Sequence, residues 1–258
     1  MFTQVSPPSQ MKSRNEKRYS HSVRRVWPWP AMLLEKAARW IMALPGDKWL
    51  DAACGEGPLS ALIKKPKKLI GLDIDLTCLK KASIHPYLSL TQTSVTALPF
   101  AENSLDGIVS IETLEHVERM SSALREFARC IKPNGFLLVS MPAVTLRSLW
   151  NMHRTGRPEY CCEEEHVREL SALPINGFKN RFQTFQWLEN RFADVGFSVK
   201  RSSGVGFLFP MWHGWFSFVE HAMNLLYREK INRFFALLPL IRNFAYYRMY
   251  LARLDRIR

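Results

Sequence analysis

Between residues 48 and 142, short apolar runs alternate with segments whose apolar residues recur at helical spacing. "KWLDAA", "KKLIGLDID", "LSLTQTS", "SLDGIVSIETL" and "FLLVSMP" read as strands, and "LTCLKKAS" and "SSALREFARCI" read as helices between them. "AMLLEKAARWIMAL" is a helix stopped by Pro45-Gly46, and "GPLSALIKK" is a helix with Pro58 in its first turn, where a missing N–H costs little. Strand and helix in alternation imply an α/β, Rossmann-like, doubly wound and mostly parallel sheet with helices on both faces. Ligands in such sheets bind beyond the carboxyl ends of the strands.

That rule places Asp51, Gly55 and Gly57 of "LDAACGEG" at the ligand crevice. Asp73, 22 positions after Asp51 and at the end of the second strand, sits where an acid accepts both ribose hydroxyls of an adenosine. A nucleoside-containing cofactor follows. A dinucleotide fits poorly, because Ser60 occupies the third glycine position of G-x-G-x-x-G and Pro58 removes an N–H from the turn that cradles a pyrophosphate. S-adenosylmethionine, which has no phosphate, suits the pattern better.

Composition narrows the partners. A chain of 258 residues, 47% hydrophobic and 23% charged, can bury a full core, and its formal charge of +13 favours an anionic partner. Nucleic acid, a phospholipid surface and an acidic substrate all satisfy that charge. The odd number of cysteines and the apolar setting of Cys54, Cys78 and Cys130 speak against a disulfide framework and for a reducing compartment. Adjacent Cys161 and Cys162, near His153 and His166, do not match the C-x2-C spacing of zinc sites. Residues 1–30 have no apolar core of a signal peptide and only Glu16 as an acid. They read as a basic, flexible arm, with an organellar transit segment as the alternative and a cytoplasmic location as the expectation.

The pieces "LDAACGEG", "GLDID", "ALPFAENSLDGIVSIETLEHV" and "CIKPNGFLLVSMP" resemble, in order and spacing, the class I S-adenosylmethionine-dependent methyltransferases, in particular the type 11 small-molecule family. The resemblance covers about residues 48 to 142. It implies that Asp51, Ala53, Cys54, Gly55 and Gly57 line the methionine side of the cofactor. It implies that Asp73 and Ile74 hold the ribose, and that Ser94, Val95, Ile111 and Glu112 complete the pocket. Ala53 stands where the family usually has its first glycine, so a tighter turn is expected. Ser94 stands where an acid commonly meets the adenine amino group, leaving a hydroxyl that can still accept one hydrogen bond. Asp106, near the start of the fourth strand, reads as structural.

Methyl transfer from a sulfonium asks for alignment and, with a hydroxyl acceptor, for a base. His116 in "ETLEH" and His166 in "CEEEHVREL" are the candidate catalytic residues. "ETLEH" also resembles the E-x-x-E-H of ubiquinone-pathway O-methyltransferases, which implies Glu112, Glu115 and His116 as a secondary metal-ligand set; the residues alone give none. The reading is a methyltransferase acting on a small or lipid-like acceptor, with O-methylation favoured. The alternatives are an RNA-directed methyltransferase and a cofactor-binding protein without catalysis. RNA is disfavoured as a partner, because no Asn/Asp-Pro-Pro-Tyr turn and no aromatic RNA-binding strand motif is readable.

Residues 31–203 form the expected cofactor-binding domain, and 204–258 an aromatic, basic extension. Ser202 to Val219 carry no Lys, Arg, Asp or Glu, and Trp212, Trp215 and Phe216 suit a lid or a surface dipping into lipid headgroups. From Arg228 onward eight Lys or Arg face two acids in a segment that reads as helical. The sheet is expected to have six strands, or seven with an unusual last strand near "AYYRMYL".

Overall fold

The computed structural model describes residues 29–117, 119–142, 185–205 and 247–255. The chain enters through α1 (Trp29–Ala43), whose apolar stripe of Leu33, Ala37 and Ile41 is buried to 1% exposure or less. Strands β1 (Lys48–Ala52), β2 (Lys68–Asp73), β3 (Ser89–Gln92) and β4 (Leu105–Ile111) are followed by β5 (Ile131–Pro142). Helices α2 (Leu76–Ala82) and α3 (Met120–Cys130) connect β2 to β3 and β4 to β5. Helix α4 (Phe185–Asp194) precedes β6 (Phe197–Val205), and β7 (Tyr247–Leu254) closes the described chain.

The sheet has seven strands in the order β3-β2-β1-β4-β5-β7-β6. Its first five are parallel, and β7 runs antiparallel to both β5 and β6. The seventh strand therefore forms at the unusual place the sequence singled out, within a segment otherwise read as helical. It also corrects the expected boundary at residues 203 and 204, since β6 runs to Val205 and β7 lies between β5 and β6. Buried Arg248 disguises the strand in sequence. Its guanidinium sits over the Tyr250 ring, 5.5 Å from the centroid, and donates from Nη2 to Ser202 Oγ at 3.3 Å.

Both faces of the central strands are buried, so successive side chains enter different cores. Leu50, Ile70, Ile108 and Leu137 pack with Leu124 and Phe127 of α3 and Phe192 of α4 on one side. Trp49, Leu69, Val109 and Leu138 pack with α1 on the other. Edge-on packing of Phe192 against Tyr250, with centroids 5.7 Å apart, ties α4 to β7. Gly107 is required by this packing, because a Cβ there would lie 2.5 Å from the Trp49 ring.

One local expectation is corrected, and one strand begins before its apolar run. "GPLSALIKK" makes only a 3-10 turn at Ser60–Leu62, after which Ile63 is extended ahead of Pro66. "KPNG" joins β5 as an irregularity: Leu105 pairs with Ile131 and Gly107 with Phe136, and Asn134 adopts φ 66°. Asp106 is structural as expected. Its carboxylate accepts the Asp47 and Lys48 amides at 2.9 and 2.8 Å and pairs with Lys132 at 2.6 Å, anchoring the start of β1 beside β4. Among the described residues no helix is long and apolar enough to cross a membrane.

Candidate cofactor site

Strand order reverses between β1 and β4, and at such a switch point a crevice opens beyond the carboxyl ends of the strands. The described non-glycine residues with positive φ are Ala53 (63°), Asn103 (52°), Glu112 (51°) and Asn134 (66°). Asparagine tolerates that region in turns; Ala53 and Glu112 have no such licence and carry about 1–2 kcal/mol of strain each. They immediately follow β1 and β4. Strain kept at both sides of the switch point marks a functional site.

The turn after β1 is built by backbone bonds. Cys54 N donates to Leu72 O at 2.8 Å, and Gly57 N to Cys54 O at 2.9 Å. Ala53 opens the turn with its backbone in the left-handed region. Gly55 has φ 55°, and a Cβ built on it would meet nothing within 4 Å, so the turn presents open space there.

Asp73, 8% exposed at the end of β2, faces this turn. Its Oδ2 accepts the Gly55 amide at 2.8 Å and its Oδ1 the Asp75 amide at 2.9 Å. Burial raises its pKa, and the two amides oppose that rise. Each oxygen keeps a further lone pair, so the carboxylate can still receive a pair of hydroxyls. Ile74 beside it is an apolar side chain left 59% exposed, which suits an aromatic base stacked at the crevice edge. Ser94 Oγ pairs with Thr96 Oγ1 at 2.8 Å and accepts the Thr96 amide at 3.2 Å, while Val95 is buried. An open glycine turn, an acid with free lone pairs and an exposed apolar wall fit a nucleoside cofactor.

Asp51 is buried to 3% exposure, deeper than a residue that simply lines a pocket. Its Oδ2 accepts the Tyr87 hydroxyl at 2.7 Å. Burial pushes its pKa up to about 7, with the negative charge of Asp73 adding to the rise and the Tyr87 bond opposing it. Tyr87, in the loop before β3, was not legible as a site residue; nothing in "SIHPYLSL" distinguishes it from a core aromatic. The Cys54 thiol is buried, and desolvation raises its pKa, so it is a neutral, unreactive group. Cys54, Cys78 and Cys130 are all buried and free, as their apolar setting predicted.

At the β4 end, Ser140 Oγ donates to Glu112 Oε1 at 2.8 Å and accepts the Glu112 amide at 3.1 Å, securing the strained residue to β5. Glu112 and Glu115 are both buried acids beside one another, and their mutual repulsion adds to the cost of ionising Glu115. Burial pushes Glu112 up to about 8 and holds Glu115, 1% exposed, well above the usual carboxylate range. His116 Nε2 lies 3.9 Å from Glu115 Oε1, beyond hydrogen-bond length. Among the described residues no three His, Cys, Asp or Glu gather as a metal-holding group, so Glu112, Glu115 and His116 as placed do not fit a divalent ion. His166, Cys161, Cys162, Trp212, Trp215 and Phe216 lie outside the described residues.

The architecture is a Rossmann-like α/β sheet with its crevice at the switch point, and residues 50–139 match the family model described as a methyltransferase domain. The 2-phytyl-1,4-naphtoquinone methyltransferase of Trichormus variabilis is 29% identical over 122 residues, covering 43% of this chain and 51% of that protein. The ubiquinone biosynthesis O-methyltransferase of Paracidovorax citrulli is 35% identical over 107 residues, covering 38% of this chain and 44% of that protein. The structure of magnesium protoporphyrin IX methyltransferase from Synechocystis PCC 6803 with bound S-adenosylhomocysteine superposes with a TM-score of 0.56 at 17% identity, over 87% of this chain and 83% of that one. At that identity the likeness concerns the fold. The chain spans about half, or less, of the length of the first curated relatives it matches.

Proposed function

We propose that this chain transfers a methyl group from S-adenosylmethionine to an oxygen of a small, apolar acceptor. The observation that carries the reading is the meeting of the open Gly55 turn, the Asp73 carboxylate and exposed Ile74 at the switch point of a methyltransferase fold. Relatives whose names place them on naphthoquinone and in ubiquinone biosynthesis support a ring-bearing, apolar acceptor.

When bound, the cofactor supplies an electrophilic methyl group on a sulfonium. The chain's own residues then bind and orient. Asp73 would accept the ribose hydroxyls, Asp51 would supply negative charge at the methionine end, and Ile74 and Val95 would give apolar contact to the base. His116, on the turn after β4 with a side chain 30% exposed, takes the proton from an acceptor hydroxyl. Burial disfavours the charged forms of Glu112 and Glu115, which keeps the negative charge at the β4 end low.

Labelled methyl transfer tests this. Methyl-labelled cofactor is offered with apolar acceptors carrying a phenolic hydroxyl, a reactive ring carbon or an amine, and with RNA. The expected product is a methoxy compound, formed at the same rate with a chelator present. Label on RNA, or cofactor binding without transfer to any acceptor, would replace the proposal with one of the two alternatives.

A peripheral membrane location is the companion proposal, supported by the charge of +13 and the aromatic, uncharged stretch from Ser202 to Val219. The expected result is co-sedimentation with anionic but not neutral vesicles, weakened by salt and lost in Trp212→Ser/Trp215→Ser. Intact protein left in the supernatant with anionic vesicles removes this reading.

A further inference from the structure

We propose that Tyr87 is a positioning residue of the cofactor site: its hydroxyl holds Asp51 while its ring holds the glycine turn, so that one side chain couples turn geometry to the charge at the methionine end. The inference rests on the cofactor reading above.

Three contacts converge on this one ring. The hydroxyl donates to Asp51 Oδ2 at 2.7 Å, reaching across from the loop before β3 to the end of β1. The ring fills the space that side chains at two glycines would need. A Cβ on Gly57 would lie 2.9 Å from Tyr87 Cε2, and a Cβ on Gly71 would lie 3.0 Å from Tyr87 Cε1. Gly57 adopts φ 84°, so its backbone and its missing side chain both serve the same fit. Tyr87 thus clamps β1, the turn after it and β2 together.

Asp51 is surrounded by groups that disfavour its charge. Asp73 of β2 repels it, the neighbouring Cys54 is a neutral thiol, and no cation is among the groups that shift it. The Tyr87 hydroxyl opposes burial by stabilising the carboxylate. The phenol keeps its proton throughout, because burial and the Asp51 charge raise its own pKa. An ammonium brought to the site is held well only by ionised Asp51, so binding strengthens as pH rises through about 7.

Tyr87→Phe removes the hydroxyl and keeps the ring. Followed by carbon NMR of the Asp51 carboxyl in the protein without cofactor, the midpoint near 7 should move up by about one pH unit. Calorimetry with S-adenosylhomocysteine should then show about fivefold weaker binding at pH 7 and nearly equal binding at pH 9. Tyr87→Leu, which also empties the space above the glycines, should bind more weakly at every pH. A residue that is merely core would lower melting temperature without moving the Asp51 midpoint. Wild type that binds the probe, with an unmoved midpoint in Tyr87→Phe, overturns the inference alone. Wild type that fails to bind at any pH overturns the cofactor reading, and the inference with it.

Discussion

Asp73→Ala should weaken S-adenosylhomocysteine binding by about 10²-fold or more and lower the stability of the empty protein as well. The first effect follows from two ribose hydrogen bonds to a carboxylate, each contributing about 1.5–3 kcal/mol. The second follows from the structure, in which the same carboxylate accepts the Gly55 and Asp75 amides. Leaving a buried amide without an acceptor costs about 1–3 kcal/mol. Asp73→Asn separates the two roles, since an amide oxygen still accepts from one backbone N–H but donates where the carboxylate accepted. Calorimetry and urea melts on both variants decide the matter. Unchanged binding in Asp73→Ala would mean that the ribose lies elsewhere.

Asp51→Asn should do two opposite things: stabilise the empty protein at pH 8 and weaken cofactor binding there. Asp51 has a folded pKa of about 7 against an ordinary value of 3.8. A carboxyl whose folded value is raised contributes its stability below the unfolded value and loses it as pH rises through the folded one. The loss therefore accumulates between about pH 4 and pH 7, and an amide does not suffer it. The variant should match wild type near pH 4 and exceed it by about 2–4 kcal/mol at pH 8, on the scale of 1.36 kcal/mol per pH unit. Glu112, with its own raised value of about 8, titrates in both proteins and cancels in the difference. Binding of the ammonium-bearing cofactor should fall at least tenfold at pH 8. Denaturation curves that keep the same spacing at pH 4 and pH 8 would show that Asp51 is not held against its charge. Stability set aside for a ligand is the expected mark of a binding residue.

Much of this was readable in the chain. Apolar runs at Trp49-Leu50, Leu69-Ile70 and Ile108-Val109, alternating with helical segments, read as strands covered on both faces, and the acids near the ends of β1 and β2 mark the crevice. The parallel half of the sheet and the Asp51, Gly55 and Asp73 set follow from those patterns. What escaped depends on contacts between distant segments. Tyr87 lies in a loop and acquires its role only when β3 lies beside β2. The Glu112 strain is a backbone property, visible only once Ser140 of β5 is across from it. The last strand was obscured by Arg248, whose guanidinium meets Tyr250 on the same strand and Ser202 on β6, a partner that sequence reasoning cannot place beside it. Helix propensity over-read "GPLSALIKK", where only the turn Ser60–Leu62 forms and Ile63 is already extended.

The position of β7 has a consequence for how the chain is made. Residues 247–254 form an interior strand, with β5 on one side and β6 on the other. On a ribosome, β5 emerges long before them and presents an unpaired edge through the whole intervening stretch, as does β6 once it follows. Neither edge can be satisfied early, because β6 has no direct partner in β5. Closing the gap at the end brings together segments far apart in sequence, which makes the last step slow and leaves the nascent chain open to wrong pairing in the interval.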